Sequence, residues 1–210
     1  MTSIQSEKQP NPTVAGTVGL ADEELLRANL YLLLAGLLAR APSEKALQVA
    51  ARVEGDDSDL GQALRALGKI ASRANAATVA QEYHDLFIGL GRGELLPYAS
   101  YYLTGFLQEK PLAKLRTDLA DLGIARDSAV KEPEDHIAAL MDVMAGLITG
   151  AFGVHYDLAR QKQFFSAHIQ SWAPHFFKDL EGANASVFYA TLGTVGRIFM
   201  DIETAAFEMD

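Results

Sequence analysis

Between Leu25 and Leu38 apolar residues return on every turn of a 3.6-residue period. Leu26, Leu30, Leu33, Leu34, Leu37 and Leu38 form one stripe, and Leu25, Tyr31 and Leu32 widen it. This spacing predicts a helix, and a helix apolar most of the way round predicts a central one. The same period recurs in Leu60, Ala63, Leu64, Leu67, Ile70 and Ala71, then in Leu112, Leu115, Leu119 and Leu122, and finally in Phe188, Leu192, Val195, Ile198, Phe199 and Ile202. Ile137 to Thr149 carries two apolar rows, Leu140, Val143, Leu147 and Met141, Met144, Ile148. No stretch alternates with period two. The pattern predicts an all-α protein, a single globular helical domain of about nine helices over residues 21–206. Residues 1–20 are polar with Pro10 and Pro12 and are expected to form a disordered tail; 207–210 read as an acidic end.

Helix boundaries follow from capping chemistry. Asp22 suits the first N-terminus, and Pro42 ends that helix near Ala41. Ser43 caps the next, and Thr78 with Gln81 has capping-box spacing. Pro111 starts a helix that Gly123 stops. Pro133 reads as the first position of the helix after it, with Glu134 and Asp135 favoured by the positive helix end. A helix from Leu158 to Trp172 is expected, then a restart at Pro174. Asn184 or Ser186 caps the last helix.

Composition removes several function classes. The chain has no cysteine, hence no disulfide, thiolate metal site or thiol nucleophile. A formal charge of −9 opposes nucleic-acid binding, which needs a basic face, and favours a basic partner by steering. Asp201, Glu203, Glu208 and Asp210 place part of that acidity at the C-terminus, with no base nearby in sequence. The most apolar run, Ala28 to Ala39, is too short for a membrane span of about 20 residues, and residues 1–19 have no apolar leader core. A soluble, cytoplasmic protein without membrane insertion is expected.

The stretch from Tyr83 to Tyr102 stands apart. Tyr83, Leu86, Phe87 and Leu90 share a helical face, Gly89, Gly91 and Gly93 stop the helix, and an apolar loop carries Leu95, Leu96, Pro97, Tyr98, Tyr101 and Tyr102. The glycines lack the Lys-Ser/Thr of a phosphate loop, so no motif supports guanine nucleotide or another cofactor. His84-Asp85 resembles the adjacent pair of helical metal phosphohydrolases, but no histidine precedes it to complete a ligand set, and no metal site is expected. Asp135 and His136 are adjacent on a helix and point about 100° apart, so they form no relay with each other. No catalytic residue is assigned. The aromatic stripe Phe164, Phe165, Trp172, Phe176 and Phe177 is expected in the core.

Three motifs together resemble the TorD/DmsD family of redox-enzyme maturation chaperones. Tyr83-His84-Asp85-Leu86-Phe87-Ile88-Gly89 followed by Pro97-Tyr98-Ala99-Ser100 is similar to the family's aromatic-x-x-Leu-Phe-x-Gly and Pro-Tyr/Trp-x-Ser motifs. Glu132-Pro133-Glu134-Asp135-His136 is similar to its Glu-Pro-x-Asp-His motif, and Phe164 to Phe176 to its His-hydrophobic-x-x-Trp-x-Pro segment. Ala99 departs from the pattern, since many members carry an acidic residue there. The resemblance implies a cytoplasmic chaperone, a monomer or homodimer. Its partners would be the twin-arginine signal peptide and the apo form of a molybdopterin-dependent oxidoreductase, held until cofactor insertion and before export. It implies signal-peptide-binding roles for Tyr83, Leu86, Phe87, Pro97, Tyr98, Ser100, Glu132, Asp135 and His136. The cluster Glu132, Glu134 and Asp135 is expected to take the arginine pair. A helical metal-dependent phosphohydrolase and a helical adaptor subunit without an export role are the alternatives.

Overall fold

The computed structural model describes residues 21–89, 93–125, 130–184 and 186–209. The expected tail at 1–20, the segment 90–92 and Asp210 lie outside the described residues. The elements are α1 (Asp22–Leu38), α2 (Glu44–Ala50), α3 (Asp59–Ala71), α4 (Ala76–Tyr83), a π-helical turn (His84–Ile88), α5 (Ala99–Thr104), α6 (Lys110–Asp121), α7 (Ile137–Thr149), α8 (Leu158–His168), α9 (Ala173–Glu181) and α10 (Phe188–Met209). The fold is all-helical. Among the described residues the extended pairing is one isolated antiparallel bridge, Tyr98 with His136.

Local chemistry sets most of the starts. The Ser43, Ser58 and Asp157 side chains each accept one backbone N–H of the first turn that follows, a donor with no partner inside the helix. Asn75 accepts from Ala77 and Thr78, so α4 begins before the Thr78 box predicted from sequence. Asp22 is the first helical residue and Ala21 holds the N-cap, so Asp22 contributes charge, not a capping bond. Pro133 is not at a helix start: α7 begins at Ile137, and His136 is its N-cap, with Nδ1 accepting from Ala138 N–H at 3.1 Å. Helix α8 stops at His168, where Ile169 leaves helical geometry, and does not run to Trp172. Ser186 caps α10, its hydroxyl accepting from Tyr189 N–H at 2.8 Å.

Helix α1 packs on α7, and α10 packs on α9 and α3. Between them lie Tyr31, Phe165, Trp172, Phe176, Phe177, Phe188, Tyr189 and Phe199, each no more than 1% exposed. Apolar side chains of this size are worth about 1.5–3 kcal/mol each when fully buried. The aromatic stripe is core, as its spacing predicts. Helix α10 approaches α9 through glycines: a Cβ at Gly193 would lie 2.3 Å from the Glu181 backbone nitrogen.

Glu203 corrects the reading of an unpaired acidic C-terminus. It is buried, receives Arg27 Nε at 2.7 Å and Nη2 at 2.8 Å, and accepts the Tyr31 hydroxyl at 2.8 Å. Burial and the Glu203 charge both push the Tyr31 phenol well above its ordinary range. The cation comes from a helix 176 residues earlier in the chain. Asp201 lies 3.6 Å from Arg197.

Candidate functional site

The Pro97–Ser100 and Glu132–His136 stretches meet in space. Ala99 N–H donates to Asp135 O at 3.0 Å and Ile137 N–H donates to Pro97 O at 2.8 Å, which makes the Tyr98–His136 bridge. The Tyr98 and His136 rings lie edge to face, 5.1 Å between centroids. Asp135 Oδ2 accepts the backbone N–H of Ser100 at 2.9 Å, so Asp135 caps α5 from another part of the chain. Its other oxygen, Oδ1, is buried without a hydrogen-bond partner. Ser100 in turn braces the turn after α5: its Oγ accepts Gln108 N–H at 3.2 Å and its carbonyl accepts the Thr104 hydroxyl at 2.7 Å. The sequence-predicted loop is therefore shorter than expected, and Tyr101 and Tyr102 ride on α5. Tyr102 donates its hydroxyl to Asp179 at 2.9 Å.

The Tyr83–Gly89 stretch forms the neighbouring wall. Leu86 points into the core at 0% exposure. Tyr83 and Phe87 stack on each other and on Tyr189 with centroids 5.0–5.9 Å apart, and stay half-buried. After Gly89, at a positive φ of 56°, the chain returns across the π-helical turn, with Leu95 N–H donating to Leu86 O at 2.8 Å. Gly93 lies against this turn, where a Cβ would sit 2.5 Å from Leu86 O. Its missing side chain lets the loop lie flat. Leu95, Leu96 and Tyr98 are left half-buried along the edge.

On that edge Tyr98 donates its hydroxyl to the exposed carboxylate of Glu132. Burial, then this bond, raise the Tyr98 phenol above its ordinary range. Burial, then the Glu132 charge, raise the Tyr83 phenol as well. His136 is pushed down to about 4 by burial, against the opposing pull of Glu132 and Asp135.

The expected acidic cluster is divided by these contacts. Glu134 pairs with Arg116 at 2.8 Å and 3.0 Å, and Asp135 is fully buried at its cap. Glu132 is the member that faces solvent. Leu86, Pro97, Ser100, Asp135 and His136 are buried, whereas Tyr83, Phe87, Tyr98 and Glu132 reach the surface. His84 and Asp85 stand side by side at 3.4 Å on the surface. Among the described residues no group of three or more His, Asp or Glu side chains is placed to hold a metal ion, and no helix is long and apolar enough to cross a membrane.

Sequence reasoning missed the role of His168. It is buried, lies 2.6 Å from Asp118 through Nε2, and its carbonyl accepts Trp172 Nε1–H at 2.7 Å. The contact spans the break between α8 and α9, where Ile169 has left helical geometry, so helical spacing did not display it.

The all-helical chain has known relatives. A family model described as nitrate reductase delta subunit matches residues 53–178. The chaperone protein TorD of Vibrio parahaemolyticus is 26% identical over 200 residues, covering 85% of this chain and 93% of its own. The chaperone protein TorD of Vibrio cholerae is 28% identical over 194 residues, covering 83% and 88%. A crystal structure assigned to a redox enzyme maturation protein from Archaeoglobus fulgidus shares the fold, with a TM-score of 0.55 and 21% identity over 84% of this chain and 94% of that one. The chain belongs to the TorD/DmsD family of redox-enzyme maturation chaperones.

Proposed function

We propose that the protein is a cytoplasmic chaperone that binds the twin-arginine leader of an apo-molybdoenzyme. It would shield the leader while the cofactor is inserted and so delay export. The supporting observation is the Tyr98–Glu132 pair: an exposed carboxylate held by the hydroxyl of a half-buried tyrosine. A guanidinium is planar and permanently charged, and takes both kinds of partner at once, a carboxylate edge and an aromatic face. Half-buried Phe87, Leu95 and Leu96 offer apolar contact alongside. Asp135, His136, Ser100, Pro97 and Leu86 hold this edge in shape from beneath.

Titration of a synthetic leader, an arginine pair followed by an apolar run, tests the reading. Saturable one-site binding is expected. Absence of binding to the folded protein would remove the leader as ligand.

A further inference from the structure

The outer face of α1 is left open by the domain. Leu26 and Leu32 of α1, Val49 and Val53 at the end of α2, and Leu60 and Leu64 of α3 line a groove of about 730 Å³. Leu26 is 66% exposed, Val49 58% and Leu32 45%. Single exposed apolar residues are ordinary, but a contiguous set lining a concavity marks a binding surface. The charged residues in its lining are Glu54 and Asp56, both acidic. Of the cations near the groove, Arg65 is committed to the Gly55 and Asp56 carbonyls and the Asp57 carboxylate, Arg27 to Glu203, and exposed Arg52 adjoins Val53.

We infer that this groove seats the apolar run of the client's leader, with a basic residue flanking that run set against Glu54 and Asp56. The inference rests on the leader-binding reading above and adds a second subsite to it. The floor is aliphatic and the rim acidic, which matches a segment that is apolar and basic and carries no carboxylate. A second copy of this chain is a poor occupant, since each copy carries a net charge of −9. The motif edge offers an apolar run fewer exposed aliphatic side chains than the groove does. Its Leu86 is buried, and its open groups are two tyrosines, a carboxylate and the half-buried Phe87, Leu95 and Leu96.

Helix α1 links the two places. It lines the groove from Leu26 to Leu33, and its Leu38 carbonyl accepts the Tyr83 hydroxyl at 3.5 Å. Leu26 and Leu38 are about 18 Å apart along the helix axis. One leader of about 20 residues reaches both.

The test uses the full-length protein and a synthetic leader with an arginine pair, an apolar run of about 12 residues and a photoreactive benzoylphenylalanine within the run. Cross-links are expected on the peptides holding Leu26 to Leu33 and Val49 to Leu64. Leu26→Glu and Val49→Glu alter exposed positions and should leave the helical spectrum unchanged while weakening leader binding at least tenfold. Cross-links confined to residues 83–102, with unchanged affinity in both variants, would overturn the subsite and leave leader binding intact. Failure of the leader to bind the unaltered protein overturns both. A concentration-dependent dimer abolished by Leu26→Glu would assign the groove to a second copy and overturn the inference as well.

Discussion

Asp135 and Ser100, 35 residues apart in the chain, are joined by a hydrogen bond of 2.9 Å from the Ser100 backbone N–H to Asp135 Oδ2. Asp135 is therefore a capping residue for a helix it does not belong to. Removing it leaves a buried backbone donor unpaired, which costs about 1–3 kcal/mol. Asp135→Ala should lose about that much stability in urea titrations followed by circular dichroism. Asp135→Asn keeps an acceptor oxygen and should lose less. Because the carboxylate is buried, Asp135→Asn should also leave the preference for an arginine pair over a lysine pair unchanged.

His136 gives the protein an acid-sensitive joint. Its Nδ1 accepts the Ala138 N–H, which protonation there would end. Burial pushes its pKa down to about 4, below the ordinary 6.5. The unfolded chain thus binds the proton more readily than the folded one. The neutral form's contribution is fully present above pH 6.5 and is lost as pH falls toward 4, by roughly 3 kcal/mol at the acid end. His168 is also held low by burial, beside Asp118 and Lys114, and acts in the same direction. His136→Asn retains a good N-cap without a titrating group. Unfolding free energy measured between pH 4 and 7 should fall less steeply on acidification in this variant than in the unaltered protein.

The α9–α10 contact makes a packing prediction. Gly193 faces the Glu181 backbone, and Gly196 faces the buried Phe177 ring, 2.1 Å from where a Cβ would sit. Neither neighbour is a flexible chain end that could move aside. Gly193→Ala should therefore destabilise, despite alanine's better helix propensity, by about 1–3 kcal/mol as overpacking does. A thermal melt showing equal or higher stability would mean that the helices separate at little cost.

What the sequence displayed and what it hid divide along chain distance. The Ser43 cap, the Gly123 stop and the aromatic core are local or periodic signals, and they appear where the residues place them. Helix α5 was invisible because no residue next to it caps it; its cap arrives from Asp135. The Arg27–Glu203 pair and the split of the acidic cluster, with Arg116 neutralising Glu134, likewise depend on distant partners. The motifs marked the site as a neighbourhood, but not which members face out. The stripe groups Leu26 with the buried Leu34, Leu37 and Leu38, whereas Leu26 is 66% exposed in the groove. The excess apolar width of α1 was the trace of that surface.

Titration calorimetry tests whether Glu132 receives a guanidinium of the leader. Leaders carrying an arginine pair or a lysine pair are titrated against the unaltered protein and Glu132→Gln at two salt concentrations. Glutamine can still accept the Tyr98 hydroxyl, so the edge keeps its shape while losing its charge. The variant should lose about 0.5–1 kcal/mol with the arginine leader, in the range of an exposed ion pair, and less with the lysine leader. Affinity of the unaltered protein should fall as salt rises, because exposed charges are screened over about 8 Å at physiological ionic strength. Equal losses for both leaders, or affinity indifferent to salt, would contradict the claim and leave apolar burial as the basis of binding.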